Sequence, residues 1–331
     1  MKKLTTILFT CLAFCMSAIQ AKSQTIGLLM DSYVTDRWYK DQKLFAERIK
    51  ELGGKVQIEI AYGDPVQQIR ECKSLIASGV DVLVVVPVDA EKAIEIATLA
   101  KAANIPLISY DRLIPSSDVT IYVSYDNEQV GELQAQYVLT RAPLGNYLMI
   151  HGPVSDNNSF LLRKGQHKVL KPYVDSKKVK IMEDMMMENW GESGALTRVD
   201  NFLAYSKEKP DVIIAANDAL AAGAIQALPR ELRRRVLVTG QDADRAGIQH
   251  IIDGTQSMTV YKPIKPLAYL AAEIAINLAK KKPISGTMKL KNGDVTVDAI
   301  LLKPMAVDIN NYKQTVIKDG HISTSDLIEK N

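Results

Sequence analysis

Short runs rich in Val, Ile and Leu alternate with longer stretches in which apolar residues recur every three or four positions, from residue 25 to about residue 260. The runs predict ten strands, over 25–30, 56–62, 82–86, 106–109, 121–123, 146–150, 179–185, 212–216, 236–239 and 258–260. Val80-Asp81-Val82-Leu83-Val84-Val85-Val86 is nearly continuous in Val and Leu, as strands covered on both faces require. Helical patterns fill the intervals, among them 36–52, 65–78, 90–103, 128–140 and 193–206, and Gly53-Gly54 and Gly79 supply C-terminal stops. Strand and crossover helix in strict alternation predict a parallel α/β sheet.

Ten strands would make one open sheet large, and the pattern restarts near Asn146 after the turn Ala142-Pro143-Leu144-Gly145. Two similar doubly wound lobes are the simpler solution. From about Pro283 the pattern changes to short strand-like pieces such as 294–302, with no strong helix before the end. These read as returning segments, so the chain is expected to cross between lobes more than once. No low-complexity linker separates the halves, which favours a close hinge.

Composition changes this picture only at the N-terminus. With 331 residues, 47% hydrophobic and 24% charged, the chain has the proportions of a globular protein. Lys2 and Lys3 precede an apolar stretch over 4–19 and then Gln20-Ala21-Lys22, the pattern of a secretory signal cut after Ala21. An uncleaved anchor is the alternative for this stretch. A lipid anchor on Cys15 is disfavoured by the bulky Phe14 before it. Without the signal only Cys72 remains, so no internal disulfide forms, and loss of Lys2 and Lys3 takes the formal charge from +3 to +1. That balance gives no global attraction to nucleic acid or to an anionic membrane.

Ligands of open α/β sheets collect where strands end, so the loops after the predicted strands hold the candidate chemistry. They are polar throughout. In order they carry Asp36-Arg37-Trp38, Asp111-Arg112, Asp156-Asn157-Asn158, Asn189-Trp190, Asn217-Asp218, Gly240-Gln241-Asp242 and Lys262. Each has an ordinary explanation taken singly: helix caps for Asp36 and Asn217-Asp218, a surface ion pair for Asp111-Arg112, turns for the Asp156 and Gly240 clusters, solvation for Lys262. Seven such clusters, all at strand exits in both halves, are more economically one shared cleft. Trp38 and Trp190, the only tryptophans, stand among charged and amide residues just after apolar runs. Each is either a half-buried core aromatic or an apolar plate for the flat C–H face of a sugar.

Enzyme templates fail. No phosphate-binding glycine loop, no G-x-S-x-G elbow and no H-E-x-x-H zinc motif occurs. His151 follows a strand but has no Cys or second His near it in sequence, so it reads as a hydrogen-bonded scaffold residue. A carboxylate pair such as Asp156 with Asp242 keeps a sugar hydrolase open. Met185-Met186-Met187 reads as strand packing, and Arg233-Arg234-Arg235 as a loop facing solvent or a partner.

Further stretches add a family resemblance. Asp126-Asn127-Glu128-Gln129-Val130-Gly131-Glu132-Leu133-Gln134, Tyr110-Asp111-Arg112, Ala216-Asn217-Asp218-Ala219, Gly240-Gln241-Asp242-Ala243-Asp244 and Met258-Thr259-Val260-Tyr261-Lys262-Pro263-Ile264, with Asp36-Arg37-Trp38 and Asp156-Asn157-Asn158, resemble the periplasmic sugar-binding proteins of bacterial ATP-binding-cassette (ABC) importers. The D-xylose-binding branch is the most similar. The resemblance implies a type I periplasmic binding protein: two lobes joined by three crossovers, closing over one monosaccharide. It implies a signal over 1–21, a first lobe of 22–127 with about 266–302, and a second of 128–265 with about 303–331. It assigns Trp38 and Trp190, one from each lobe, to the faces of the ring. Arg37, Asp111, Arg112, Asp156, Asn158, Asn217, Asp242 and Lys262 go to its hydroxyls and ring oxygen, with Asn157 beside them.

No cofactor, metal, catalytic residue or nucleic acid is implied; the partners are a monosaccharide and a membrane permease subunit in the periplasm. A sugar sensor signalling to a membrane histidine kinase or chemoreceptor is the alternative, ahead of a secreted sugar-processing enzyme. The signal stands where a DNA-binding helix-turn-helix would be, which removes a sugar-responsive repressor. Tyr125, where the family commonly has phenylalanine, is expected at the hinge. Truncating Arg37 or Trp190 to alanine is expected to weaken sugar binding at least about tenfold with folding largely retained.

Overall fold

From Thr25 the chain alternates strand and helix with hardly an exception. The first series is β1 (Thr25–Met30), α1 (Asp36–Glu51), β2 (Lys55–Ile60), α2 (Pro65–Ala77), β3 (Val82–Val85), α3 (Ile94–Ala102), β4 (Leu107–Tyr110) and β5 (Ile121–Tyr125). The second is α4 (Asn127–Leu139), β6 (Gly145–His151), α5 (Asn157–Asp175), β7 (Val179–Met186), α6 (Glu192–Tyr205), β8 (Val212–Ala215), α7 (Asp218–Ala227), β9 (Leu237–Thr239), α8 (Arg245–Asp253) and β10 (Thr259–Tyr261). The tail adds α9 (Ile264–Ala279), β11 (Met288–Asn292), β12 (Val295–Leu302) and β13 (Met305–Val307). The computed structural model describes residues 23–32 and 36–328. The secretion signal expected over 1–21, Cys15 included, lies outside the described residues.

Strand order makes the two halves equivalent. The first sheet runs β2-β1-β3-β4-β5-β12-β11, and the second runs β7-β6-β8-β9, with the β10-β13 pair continuing it through a bridge from Gln241 to Val260. Position by position, β1 to β5 correspond to β6 to β10, and β12 corresponds to β13. Both are therefore doubly wound sheets whose order reverses beside their first strand, the place where ligands of such folds bind. The last strands break the equivalence: β12 joins β5 in parallel, whereas β13 joins β10 antiparallel.

Alternating side chains fill the layers on either side of each sheet. On β3, Val82 and Val84 face one apolar cluster while Leu83 and Val85 face another. On β6, Leu148 and Ile150 divide from Tyr147 and Met149 in the same way. This period of two on strands buried on both faces is the reason their sequences read as unbroken apolar runs. The helices α4 and α5 meet at glycine. A Cβ on Gly131 would lie 1.9 Å from the Leu162 carbonyl oxygen, and one on Gly165 would lie 1.9 Å from that of Glu128, so only glycine permits this backbone contact.

The chain passes between the sheets after β5, after β10 and after β12. Tyr125, at the first crossing, donates its hydroxyl to the Pro263 carbonyl at the second, at 2.6 Å, and so ties two crossings together. All ten predicted strands are present. One expectation needs correction. The third helix begins at Ile94 rather than residue 90, because Asp89 accepts from the Lys92 and Ala93 amides and holds 89–93 in a turn. The tail ends in a five-residue π-helical turn, Lys313–Ile317, and a short 3₁₀ turn, Thr324–Asp326, with no α-helix there among the described residues.

Candidate functional site

The segments that follow β1, β4, β6, β7, β8, β9 and β10 line one cavity of about 630 Å³ between the lobes. Arg37 and Trp38 stand in the first turn of α1, Asp111 and Arg112 just after β4, and Asp156 and Asn158 at the start of α5. Trp190 follows β7, Asn217 follows β8, Asp242 follows β9 and Lys262 follows β10. All ten of these residues line the cavity.

Two arginines organise the first-lobe side. Arg37 reaches three carboxylates: Asp41 (3.3 Å), Asp111, and Asp242 across the cleft (3.5 Å). Arg112 donates to Asp31 (2.9 Å) and to the Pro87 carbonyl (2.8 Å), and its Nε pairs across the cleft with Asp156 (2.8 Å). Both guanidinium carbons lie over the Trp38 ring, at 4.9 and 5.3 Å from its centroid, which is cation–π distance. Burial alone would raise the Asp111 carboxyl, but Arg37, then Lys262 and Arg112, hold it below the usual carboxylate range. Asp41 goes the other way. It is enclosed and shares its proton demand with the Tyr110 hydroxyl, and burial, only partly offset by Arg37, pushes it up to about 6.

Asp111 holds φ at 61°, the left-handed region that side chains rarely adopt. Its surroundings fix that geometry: its amide donates to Val123, and its carbonyl accepts from the Tyr122 hydroxyl (3.0 Å) and from Ser124 (2.7 Å). Asp242, at φ 93°, is held alike by donation of its amide to the Val260 carbonyl.

On the second-lobe side the polar groups also cap helices. Asp156 accepts from the Asn158 amide at the start of α5, and Asn217 accepts from the Leu220 amide at the start of α7. Capping and cleft placement thus coincide at the same residues. Asn158 then reaches the first lobe, donating to the Asp111 carboxylate (3.2 Å) while accepting from Asn127 (3.0 Å). Trp190 is half-buried; its indole N–H donates to Asp156 (3.0 Å), and its carbonyl accepts from Asn217 (3.3 Å). The ring lies flat on Gly152, where a Cβ would come within 2.3 Å of it. Lys262 faces Asp242 at 3.7 Å.

The charges of this site are therefore paired with one another. What remains for a ligand is a dense alternation of donors and acceptors with aromatic surface, a lining suited to a neutral polyol. Sequence reasoning did not find the residues that hold the cavity-lining arginines from behind. Asp31 and Asp41 hold the two arginines, and the i,i+4 spacing from Arg37 to Asp41 was the available signal for the second. Gln241 lines the cavity with its cluster, and sequence did not point to Arg245, Gln249 and Ile328. The last three form one wall where the tail lies along α8: Arg245 donates to the Asp326 carbonyl, and Gln249 and Ile328 exchange two hydrogen bonds. His151 is fully buried and turns to Asp184 at 2.6 Å, away from the cavity lining.

Comparison with known proteins agrees with the geometry. Residues 26–283 match the family model described as periplasmic binding protein domain. The chain is 44% identical to a D-xylose-binding periplasmic protein of Haemophilus influenzae, over 92% of each chain. It is 43% identical to a D-xylose-binding periplasmic protein of Escherichia coli, over 94% of each. Among solved structures it superposes with TM-score 0.85 and 31% identity on a carbohydrate transporter solute-binding protein of Chloroflexus aurantiacus in complex with D-glucose, covering 92% of this chain and 99% of that one. With that family model spanning most of its length, and with the shared sheet order and strand-exit cleft, this chain belongs to the periplasmic binding protein family.

Proposed function

We propose that the protein binds one monosaccharide, D-xylose, between its lobes in the periplasm and presents the closed form to the membrane subunit of an ABC permease. The observation that carries this reading is the division of one cavity's donors and acceptors between two lobes. Arg37, Trp38, Asp111 and Arg112 come from one side, and Asp156, Asn158, Trp190, Asn217, Asp242 and Lys262 from the other. A sugar satisfies both sets only when the lobes meet, so its binding free energy is coupled to closure. Arg112 with Asp156, Arg37 with Asp242 and Asn158 with Asp111 are the cross-cleft contacts that closure makes. In this reading Trp38 and Trp190 cover the faces of the ring, and the segments 22–127 with about 266–302 move against 128–265 with about 303–331.

The sugar leaves unchanged. Asp156 is ion-paired with Arg112, and Asp242 with Arg37 and Lys262, so both carboxylates of the pair are already engaged by neighbouring cations. The 44% identity to proteins named for D-xylose favours that pentose. A thermal-shift and calorimetric screen over pentoses and hexoses tests the reading. D-xylose at about a hundredfold its Kd should add about 2.7 kcal/mol of stability. A response to a hexose with none to D-xylose overturns the choice of sugar, and recovery of chemically altered sugar after prolonged incubation overturns binding without turnover.

A further inference from the structure

The near-zero total charge hides an uneven distribution. Strands β6, β7, β8 and β9 are parallel, and the cleft residues leave from their carboxyl ends, so the loops at their amino ends form the opposite pole of the second lobe. Those loops are 141–145, 175–180, 206–211 and 229–235. Hydrogen bonds make them one surface: Gly145 donates to the Lys178 carbonyl (3.1 Å), Asn146 to the Asp211 carboxylate (2.8 Å) and Leu237 to the Asp211 carbonyl (3.0 Å).

They carry ten Lys and Arg against four Asp and Glu, a net of +6 on a chain whose total is +3. The rest of the molecule is therefore net acidic. Asp175 and Glu208 are taken up by Lys171 and Lys180. Lys177, Lys178, Lys207, Arg230, Arg234 and Arg235 are exposed, and none of them is in an ion pair among the described residues. Large apolar side chains stand in the open at the same pole: Leu144 is 63% exposed and Tyr205 is 89% exposed.

The geometry points to this pole as a docking surface for the anionic headgroups of a phospholipid membrane. The cations come from four loops spread over the end of a lobe, an arrangement that suits a flat anionic plane. An exposed Leu and Tyr among them supply the aliphatic and interfacial aromatic groups that enter the headgroup boundary. Several such cations acting together near an anionic surface suffice for reversible attachment. The seven residues of β6 hold the cleft roughly 23 Å above this pole, clear of the surface.

Cosedimentation with vesicles of phosphatidylglycerol and phosphatidylcholine, against phosphatidylcholine alone, tests this. The protein should pellet with the anionic vesicles at low salt and be released as salt rises. Combined Arg230→Glu, Arg234→Glu and Arg235→Glu should reduce partitioning at least about tenfold. Leu144→Ser with Tyr205→Ser should reduce it several-fold more gently, and both variants should keep the parent melting temperature and sugar affinity. Failure of the unaltered protein to bind anionic vesicles at low salt overturns the proposal, as does partitioning that survives the triple reversal. Retention on immobilised polyglutamate without retention on vesicles also overturns it, by assigning the pole to an acidic protein.

Discussion

The two sides of the cleft are built on different principles. On the first-lobe side Arg37, Asp41, Tyr110, Asp111, Arg112 and Asp31 form a buried charge network that satisfies itself, with Trp38 only 6% exposed beneath the guanidinium groups. On the second-lobe side Asp156 and Asn217 are helix caps, and Trp190 is a half-buried ring resting on a glycine. The first half is positioned by electrostatics and the second by backbone geometry. The same substitution should therefore have different costs on the two sides.

The largest effect is expected at Arg37. Arg37→Ala leaves Asp41 and Asp111 buried without their common partner, and breaking such a pair typically costs about 3 to 5 kcal/mol. Chemical denaturation should show that loss together with the loss of sugar affinity, so the expectation of largely retained folding does not extend to Arg37. It does extend to Trp190. Trp190→Ala should lower affinity at least about tenfold, or about 1.4 kcal/mol, in calorimetry, with little change in melting temperature. Equal destabilisation by the two substitutions would erase the contrast between the halves.

A smaller effect separates capping from contact. Asn217→Ala removes a cap worth about 1 kcal/mol and the bond to the Trp190 carbonyl, so stability and affinity should fall together. Asn217→Asp, which can still cap, should restore the stability alone. The smallest effect concerns pH. The Asp41 carboxyl titrates at about 6 when folded, above its unfolded value, so the folded chain binds the extra proton. Its contribution to stability is present at acid pH and is lost as pH rises through 6, which amounts to about 1 kcal/mol between pH 5 and 7. Asp111, held low, contributes in the opposite sense at lower pH. The difference between Asp41→Asn and the parent in denaturation at pH 5 and pH 7 isolates the Asp41 part; a difference that does not change with pH rejects it.

Much of the fold was legible because buried parallel strands such as β3 and β8 leave continuous apolar runs between helices. β11, whose sequence Met-Lys-Leu-Lys-Asn has two charged residues in five, left no such run, since one pairing partner and solvent suffice for an edge strand. β13 has three residues, too few for any period to register. The cleft was legible to the same depth. Residues that leave strand exits, such as Asp111 and Asp156, could be grouped from sequence, whereas Asp41 lies within a helix and Ile328 is brought in by contacts 79 positions away. Folding, and not local pattern, decides such neighbours.

The positive φ angles of Asp111 and Asp242 carry a consequence for how this protein can diversify. At those two positions the backbone admits glycine, asparagine and aspartate at low strain and penalises β-branched and bulky residues. The pocket's chemical alphabet is narrower there than at its other positions. Evolutionary retuning toward another ligand must then run through Arg37, Trp38, Arg112, Asn158 and Trp190, whose backbones are unconstrained in this way, while Asp111 and Asp242 act as fixed points around which specificity drifts.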